Sequence, residues 1–361
     1  MTLARFVLTA LTAALMTAFG SQAHALPVGG NVSAGAATIV NGPATTTIHQ
    51  TTPNAAINWN SFSIGSAEAV HFVQPSSSAV ALNRVVGADP SNILGTLSAN
   101  GKVFLINPNG ILFGKGASVN VAGLVASTLN VSDGDFMAGR YKFSGSGGSV
   151  VNQGSIDANG GYVALLGANV SNQGTISARM GTVALAAGDA ITLDVAGDGL
   201  INVAVDRGAV SALVDNGGMI RADGGQVVMT AQSAGHLLGT VVNHTGVIEA
   251  GSISQRNGIV RLEADTVHVA GTINSRGAAG ETGGTVSITG ATVDVAPTAT
   301  IDASGGAGGG VIAVGGGWQG TGPLAHATTV GVAAGAKLLA NATDAGDGGT
   351  ISVWSDGTTK V

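Results

Sequence analysis

Gly161-Tyr-Val-Ala-Leu165, Gly181-Thr-Val-Ala-Leu185, Gly225-Gln-Val-Val-Met229, Gly258-Ile-Val-Arg-Leu262, Gly284-Thr-Val-Ser-Ile288, Gly310-Val-Ile-Ala-Val314 and Gly349-Thr-Ile-Ser-Val353 repeat one pattern. In each, the second and fourth residues after the glycine are apolar. A strand sends alternate side chains to one face, so these positions share a face. One inward column is predicted at Val163, Val183, Val227, Val260, Val286, Ile312 and Ile351. A parallel column is predicted at Leu165, Leu185, Met229, Leu262, Ile288, Val314 and Val353. Residues between them, such as Arg261, Ser287 and Ser352, are expected to face outward. A second pattern, a short turn feeding a strand, recurs at Asn152-Gln-Gly-Ser-Ile156, Asn172-Gln-Gly-Thr-Ile176, Asn243-His-Thr-Gly-Val-Ile248 and Ala270-Gly-Thr-Ile273.

Successive glycine strands begin 20, 44, 33, 26, 26 and 39 residues apart. The interval of 44 predicts an extra coil near Leu200-Ile201. A unit of roughly 20 to 25 residues with unequal insertions fits a parallel β-solenoid, in which each coil buries its apolar face on the next. A sandwich would not hold identical columns in register through so many units. A transmembrane barrel would show longer alternating strands and aromatic girdles. This chain has only eight Phe, two Tyr and three Trp. Mature coils of ~22 residues stacked ~4.8 Å apart would form a rod of roughly 70 Å.

Composition agrees. The chain has 59 glycines among 361 residues, is 45% hydrophobic and only 9% charged. Disorder requires the opposite balance, and no strict glycine triplet suggests collagen. Fourteen basic residues, thinly spread, make no stripe for a phosphate backbone, so nucleic acid is not an expected partner. Cysteine is absent, which suits export through an oxidising compartment. At the start, Arg5, the apolar stretch from Phe6 to Phe19 and Ala23-His24-Ala25 read as a signal peptide with a small-residue cleavage site. Cleavage between Ala25 and Leu26 would remove Arg5 and move the formal charge from -6 to -7. The expected organisation is a signal peptide at 1–25, an N-terminal cap with the first coils at 26–145, and β-helix coils at 146–361. The cap would cover the raw strand edge of the first coil, with Phe62, Phe72, Phe104 and Phe113 beneath it. Trp59 and Tyr141 are expected as buried or half-buried core.

Five further stretches carry a family resemblance: Leu26-Pro-Val-Gly-Gly-Asn-Val-Ser-Ala-Gly35, Ile57-Asn-Trp-Asn-Ser-Phe-Ser-Ile-Gly65, Leu82 to Leu97, Gly101-Lys-Val-Phe-Leu-Ile-Asn-Pro-Asn-Gly-Ile-Leu-Phe-Gly-Lys-Gly116, and Val119 to Asn130. On its own, Asn107-Pro108-Asn109-Gly110 is a tight turn that reverses the chain between two strand-like runs. With its surroundings it closely resembles the secretion domain of filamentous-haemagglutinin-like exoproteins, the cargo of two-partner secretion. That resemblance implies an all-β, right-handed parallel β-helix with an N-terminal cap. It also implies Sec-dependent export, a periplasmic passage in a Gram-negative-type envelope, and recognition by an Omp85-type outer-membrane transporter. The destination would be the medium or the cell surface, and an adhesin or haemagglutinin role would follow. The secretion motif would comprise Asn107, Pro108, Asn109, Gly110 and Ile111, with Asn83, Asp89, Pro90 and Ser91 in support. Where some members carry an upstream Asn-Pro-Asn-Leu turn, this chain has Gln74-Pro75-Ser76-Ser77, as in the branch resembling high-molecular-weight adhesins. Family exoproteins usually run on into long repeats, so a truncated gene, a fragment and a short exoprotein remain open. The host receptor, surface or glycan is not named by the sequence.

No enzyme signature competes well. Asp133 and Asp135, and Asp189, Asp194 and Asp198, cluster in sequence, but most sit beside glycine, where aspartate serves turns. The histidines lack metal-ligand spacing. The glycine-rich runs Gly145-Ser-Gly-Gly148 and Gly305 to Gly310 lack the Lys-Ser/Thr of a phosphate loop. A non-enzymatic protein without metal or cofactor is therefore expected, with a polysaccharide-binding or polysaccharide-cleaving β-helix as the alternative. Sequons at Asn31, Asn130, Asn169, Asn243 and Asn341 arise readily in so Asn-, Ser- and Thr-rich a chain.

Overall fold

The computed structural model describes residues 25–195, 200–210, 212–233, 241–253 and 255–361. Apart from Ala25, the expected signal peptide lies outside them. The chain winds through three sheets, and most coils give one short strand to each. Face 1 has twelve strands, from Asn31–Ala34 through Asn54–Trp59 to Thr350–Val353. Face 2 has ten, from Ser91–Ile93 to Thr358–Lys360, and face 3 has twelve, from Ala37–Asn41 to Lys337–Leu339. This is a parallel β-helix. Twelve strands at ~4.8 Å make a stack of roughly 50 Å, shorter than the sequence estimate because many residues leave the coils.

Both expected columns are in register: Val163, Val183, Val227, Val260, Val286, Ile312 and Ile351 align, as do Leu165 to Val353. All are buried except in the outermost strand, where Ile351 is exposed and Val353 half-buried. Arg261 faces solvent; Ser287 and Ser352 lie in register on the same outward side, as expected, but are buried there rather than exposed. Ser287 sits between Arg261 and Ala313 in the ladder, and Ser352 is bound to the carbonyl of Gly316 in an overlying loop.

The cap works by reversing direction. Asn31–Ala34 runs antiparallel to Asn54–Trp59, and Ala37–Asn41 antiparallel to Thr45–Gln50. Phe62, Phe72 and Phe113 fill the interior of the first coils, whereas Phe104 points the other way. It enters a second core on the outer side of face 1, edge-on to Phe136 and Tyr141 at 5.8 and 5.1 Å. That core lies under a three-stranded antiparallel sheet, Tyr141–Ser144, Ala190–Val195 and Ile201–Arg207, and a short helix, Asp133–Met137. The interval of 44 residues therefore holds no extra coil. It holds two antiparallel strands that fold back and cover Ala164, Leu166, Ala184 and Ala186. Trp59 is buried and Tyr141 half-buried, as expected.

Two polar devices lock the stack. Where face 2 turns into face 3, the buried amides of Asn152, Asn172 and Asn216 form a one-way ladder. Asn152 Nδ2 donates to Asn172 Oδ1 at 2.8 Å, and Asn172 Nδ2 to Asn216 Oδ1 at 2.7 Å. Asn216 Nδ2 then meets His244 Nδ1 at 3.1 Å, and His244 Nε2 lies 3.1 Å from the Thr272 carbonyl. A carbonyl only accepts, so Nε2 carries the proton and Nδ1 accepts: the imidazole is neutral. The second device is backbone contact. A Cβ on Gly181, Gly225 or Gly284 would strike the carbonyl oxygen of Gly161, Gly181 or Gly258 in the preceding coil. Gly174, Gly218, Gly246 and Gly271 form a second spine of the same kind. Only glycine fits such approaches.

A corner turn as candidate functional site

Asn107 to Gly110 join Lys102–Ile106 on face 1 to Ile111–Phe113 on face 2. The two strands belong to different sheets and do not pair, so the turn makes a corner rather than reversing the chain. Its geometry is nonetheless that of a tight turn. The Gly110 amide donates to the Asn107 carbonyl at 3.1 Å, and the Asn109 amide to Asn107 Oδ1 at 3.0 Å. Gly110 has a φ of +118°, which favours glycine.

Asn107 is fully buried. Its Nδ2 donates to the Asp89 carbonyl and to Ser91 Oγ, each at 3.0 Å, and its backbone amide donates to the Ser127 carbonyl at 2.9 Å. One side chain thus ties the turn to the coil before, while the backbone ties it to the coil after. Ile111 is buried in the interior. Pro108 and Asn109 stand exposed at the tip, although Asn109 Nδ2 reaches the Gly87 carbonyl at 2.9 Å.

The supporting residues divide. Ser91 is buried against Asn107, while Asp89 and Pro90 are exposed beside the turn, Asp89 holding it through its carbonyl. Asn83 acts elsewhere, inside the first coils. Its Oδ1 accepts from Trp59 Nε1 at 3.0 Å, and its amide reaches the carbonyls of Ala81 and Phe104. Of the cleavage residues, Ala23 lies outside the described residues. The Ala25 amide donates to Glu68 Oε2 at 2.9 Å, and Leu26 packs half-buried on the interior. Gln74 belongs to a different corner, between faces 3 and 1. It is buried and donates to Gln50 Oε1 at 2.9 Å.

Sequence reasoning missed two neighbours. The glycine-rich run at 145–148 passes directly over the turn: the Gly148 amide donates to the Pro108 carbonyl at 2.8 Å, and a Cβ on Gly147 or Gly148 would crowd the Pro108 or Asn109 carbonyl. Its glycines were the visible signal. The other is Arg84, which bonds Asn58 Oδ1, Asn130 Oδ1 and the Val131 carbonyl, and pairs with Asp133 at 2.7 Å. Burial would raise the Asp133 pKa, but the Ser33 hydroxyl and Arg84 outweigh it and hold the carboxyl below its ordinary value. Asp135 is lowered likewise by Ser132 and Arg140. These carboxylates fasten the side helix. Asp194 is exposed on the antiparallel strand Ala190–Val195, the Asp189 backbone joins Gly145 and Arg207, and Asp198 lies outside the described residues.

The longest excursions between one face 1 strand and the next face 2 strand, 128–148, 188–212 and 315–328, all leave this same corner of the helix. The family model of the TPS secretion domain matches residues 23–279, which spans the cap, the turn and the antiparallel side sheet. The chain belongs to the TPS secretion-domain family. It is 34% identical over 259 residues to a heme/hemopexin-binding protein of Haemophilus influenzae strain Rd, covering 69% of this chain and 28% of that protein. A second heme/hemopexin-binding protein from Haemophilus influenzae is 35% identical over 257 residues, covering 64% of this chain and 27% of that one. The chain thus spans about a quarter of the length of these relatives. The crystal structure of the HMW1 secretion domain from Haemophilus influenzae superposes with a TM-score of 0.75 at 28% identity, covering 92% of this chain and 98% of that one. Membership makes this a secretion domain of the exoprotein type.

Proposed function

We propose that the corner around Asn107 to Ile111 is the surface read by an Omp85-type transporter, and that the chain reaches the periplasm through the Sec machinery before crossing to the cell surface or medium. The observation that carries this reading is a division of labour within one turn. Asn107 and Ile111 are buried and build the corner, whereas Pro108 and Asn109 are exposed, with Pro90 and Asp89 beside them. An exposed tip held rigidly by a buried asparagine is suited to docking without rearrangement. The solenoid then serves outside the cell as a non-enzymatic, adhesin-type exoprotein. The relatives' haem and hemopexin binding is not carried over, because the match covers about a quarter of those proteins and coincides largely with the secretion domain.

Single substitutions separate the two roles. Asn107→Ala removes the donor to Ser91 Oγ and to the Asp89 carbonyl and should cost about 1–3 kcal/mol, with secretion falling in step with stability. Asn109→Ala should leave the melting temperature nearly unchanged, yet reduce secretion by a co-expressed transporter and binding to its periplasmic domains. Normal secretion of Asn109→Ala and of Pro108→Ala would remove the tip from the recognition surface.

A further inference from the structure

Between Val311–Val314 on face 1 and Thr329–Val332 on face 2 the chain makes the excursion 315–328, where two preceding coils turn the same corner with 264–265 and 290–291 alone. The coil does not need this loop. Its conformation is unusual: Gly315, Gln319, Gly320 and Gly322 have φ of +78°, +52°, +66° and +88°, all left-handed, and Gln319 adopts that region without being glycine. Amid them Trp318 is 63% exposed. Gly320 lies on the indole of Trp354, where a Cβ would come 3.0 Å from Cε2. Trp354 Nε1 and His326 Nδ1 both donate to Asp356 Oδ1, at 3.3 and 3.2 Å, fixing the base of the loop. The glycines adopt this region freely, but at Gln319 it is uncommon, and the loop so shaped leaves a large aromatic mostly in solvent; non-glycine residues held left-handed gather at binding sites.

His326 also belongs to the wall of an adjoining groove of about 470 Å3, within the range of small-molecule sites. Val203 to Val205 of the antiparallel sheet also line it. Its lining offers hydroxyls and carboxylates: Thr230, Glu263, Asp265, Thr289 and Thr328. We propose that this loop and groove bind a neutral oligosaccharide, with Trp318 as the stacking platform. The indole presents a flat apolar face to the C–H side of a sugar ring, and carboxylates and threonines accept from its hydroxyls. Glu263, Asp265 and Asp356 set a negative field that disfavours uronates and anionic lipid headgroups.

The test uses the full chain and calorimetric titration with cellohexaose, maltohexaose, chitohexaose and hexagalacturonate. At least one neutral hexasaccharide should bind and hexagalacturonate should not. Trp318→Ala should weaken binding roughly tenfold or more, as truncation of an anchoring tryptophan does. Trp318→Phe should keep most of the affinity, which separates lost stacking from a damaged loop. Glu263→Gln should weaken binding at unchanged melting temperature. The proposal is overturned if no neutral hexasaccharide binds, if Trp318→Ala binds as the native chain does, or if Trp318 instead drives binding to phosphatidylcholine–phosphatidylglycerol vesicles.

Discussion

The coils from Gly161 onward and the coils between Asn54 and Ser127 share three faces and differ in what holds them. The later coils are held by repetition, with equivalent aliphatics in column and one amide ladder shared by several coils. The earlier ones are held by unique parts. Asn83 grips Trp59, Gln74 grips Gln50, Asn107 grips Ser91, and Arg84 draws four groups together. A repeated part can be replaced by its neighbour's solution, while a unique part specifies one place. On the reading proposed above, the unusual polar anchors stand where the chain presents a defined surface, and the repeats stand where it only extends.

That contrast can be attacked at its strongest point first. Val183→Asp would bury an unpaired charge within a column and should cost several kcal/mol, seen as loss of cooperative unfolding or a sharply lowered denaturant midpoint. An unchanged midpoint would undo the inward assignment. In the earlier coils, Asn83→Leu keeps the volume but strands the Trp59 indole N–H, and should cost about 1–3 kcal/mol. If it cost nothing, the polar anchors would be ornaments and the contrast would fail.

The smallest effect concerns pH. Burial pushes the His244 pKa below its ordinary value; hydrogen bonding to Thr272 and Asn216, and nearby Asp215, oppose the shift without cancelling it. The unfolded chain therefore binds the proton more readily. Stability should be fully present above about pH 6.5 and decline as pH falls from there through the folded-state pKa, by at most about 1.4 kcal/mol per pH unit. His244→Asn should flatten that dependence in urea titrations between pH 7 and 4.5. An unchanged slope would assign it to other groups.

Much of this was legible. Period-two alternation after each glycine identified the inward columns because inward residues in a stacked coil have no alternative environment. The corner turn was legible as a turn, but not as a join between sheets, since local turn chemistry is the same in both. The side sheet was not legible. Ala190–Val195 alternates like any coil strand, and the sheet it pairs with is not written into its period. A hint was present, because Asp198-Gly199 separates it from Ile201–Arg207, and that dipeptide between alternating runs signals a hairpin. Phe104 was misplaced for the same reason: its strand is buried on both sides, so alternation could not choose between them.

The glycine spines bear on how such a gene can grow. Asn152 and Asn172, Gly154 and Gly174, Gly161 and Gly181, Val163 and Val183, and Leu165 and Leu185 are each 20 residues apart. A tandem duplication of that length would supply one member of the amide ladder, one of each spine and one of each column. The new coil would meet on both sides the surfaces its parent met. Lengthening the rod would thus need no compensating substitution, whereas an insertion of any other length would have to escape at a corner, as 128–148, 188–212 and 315–328 do.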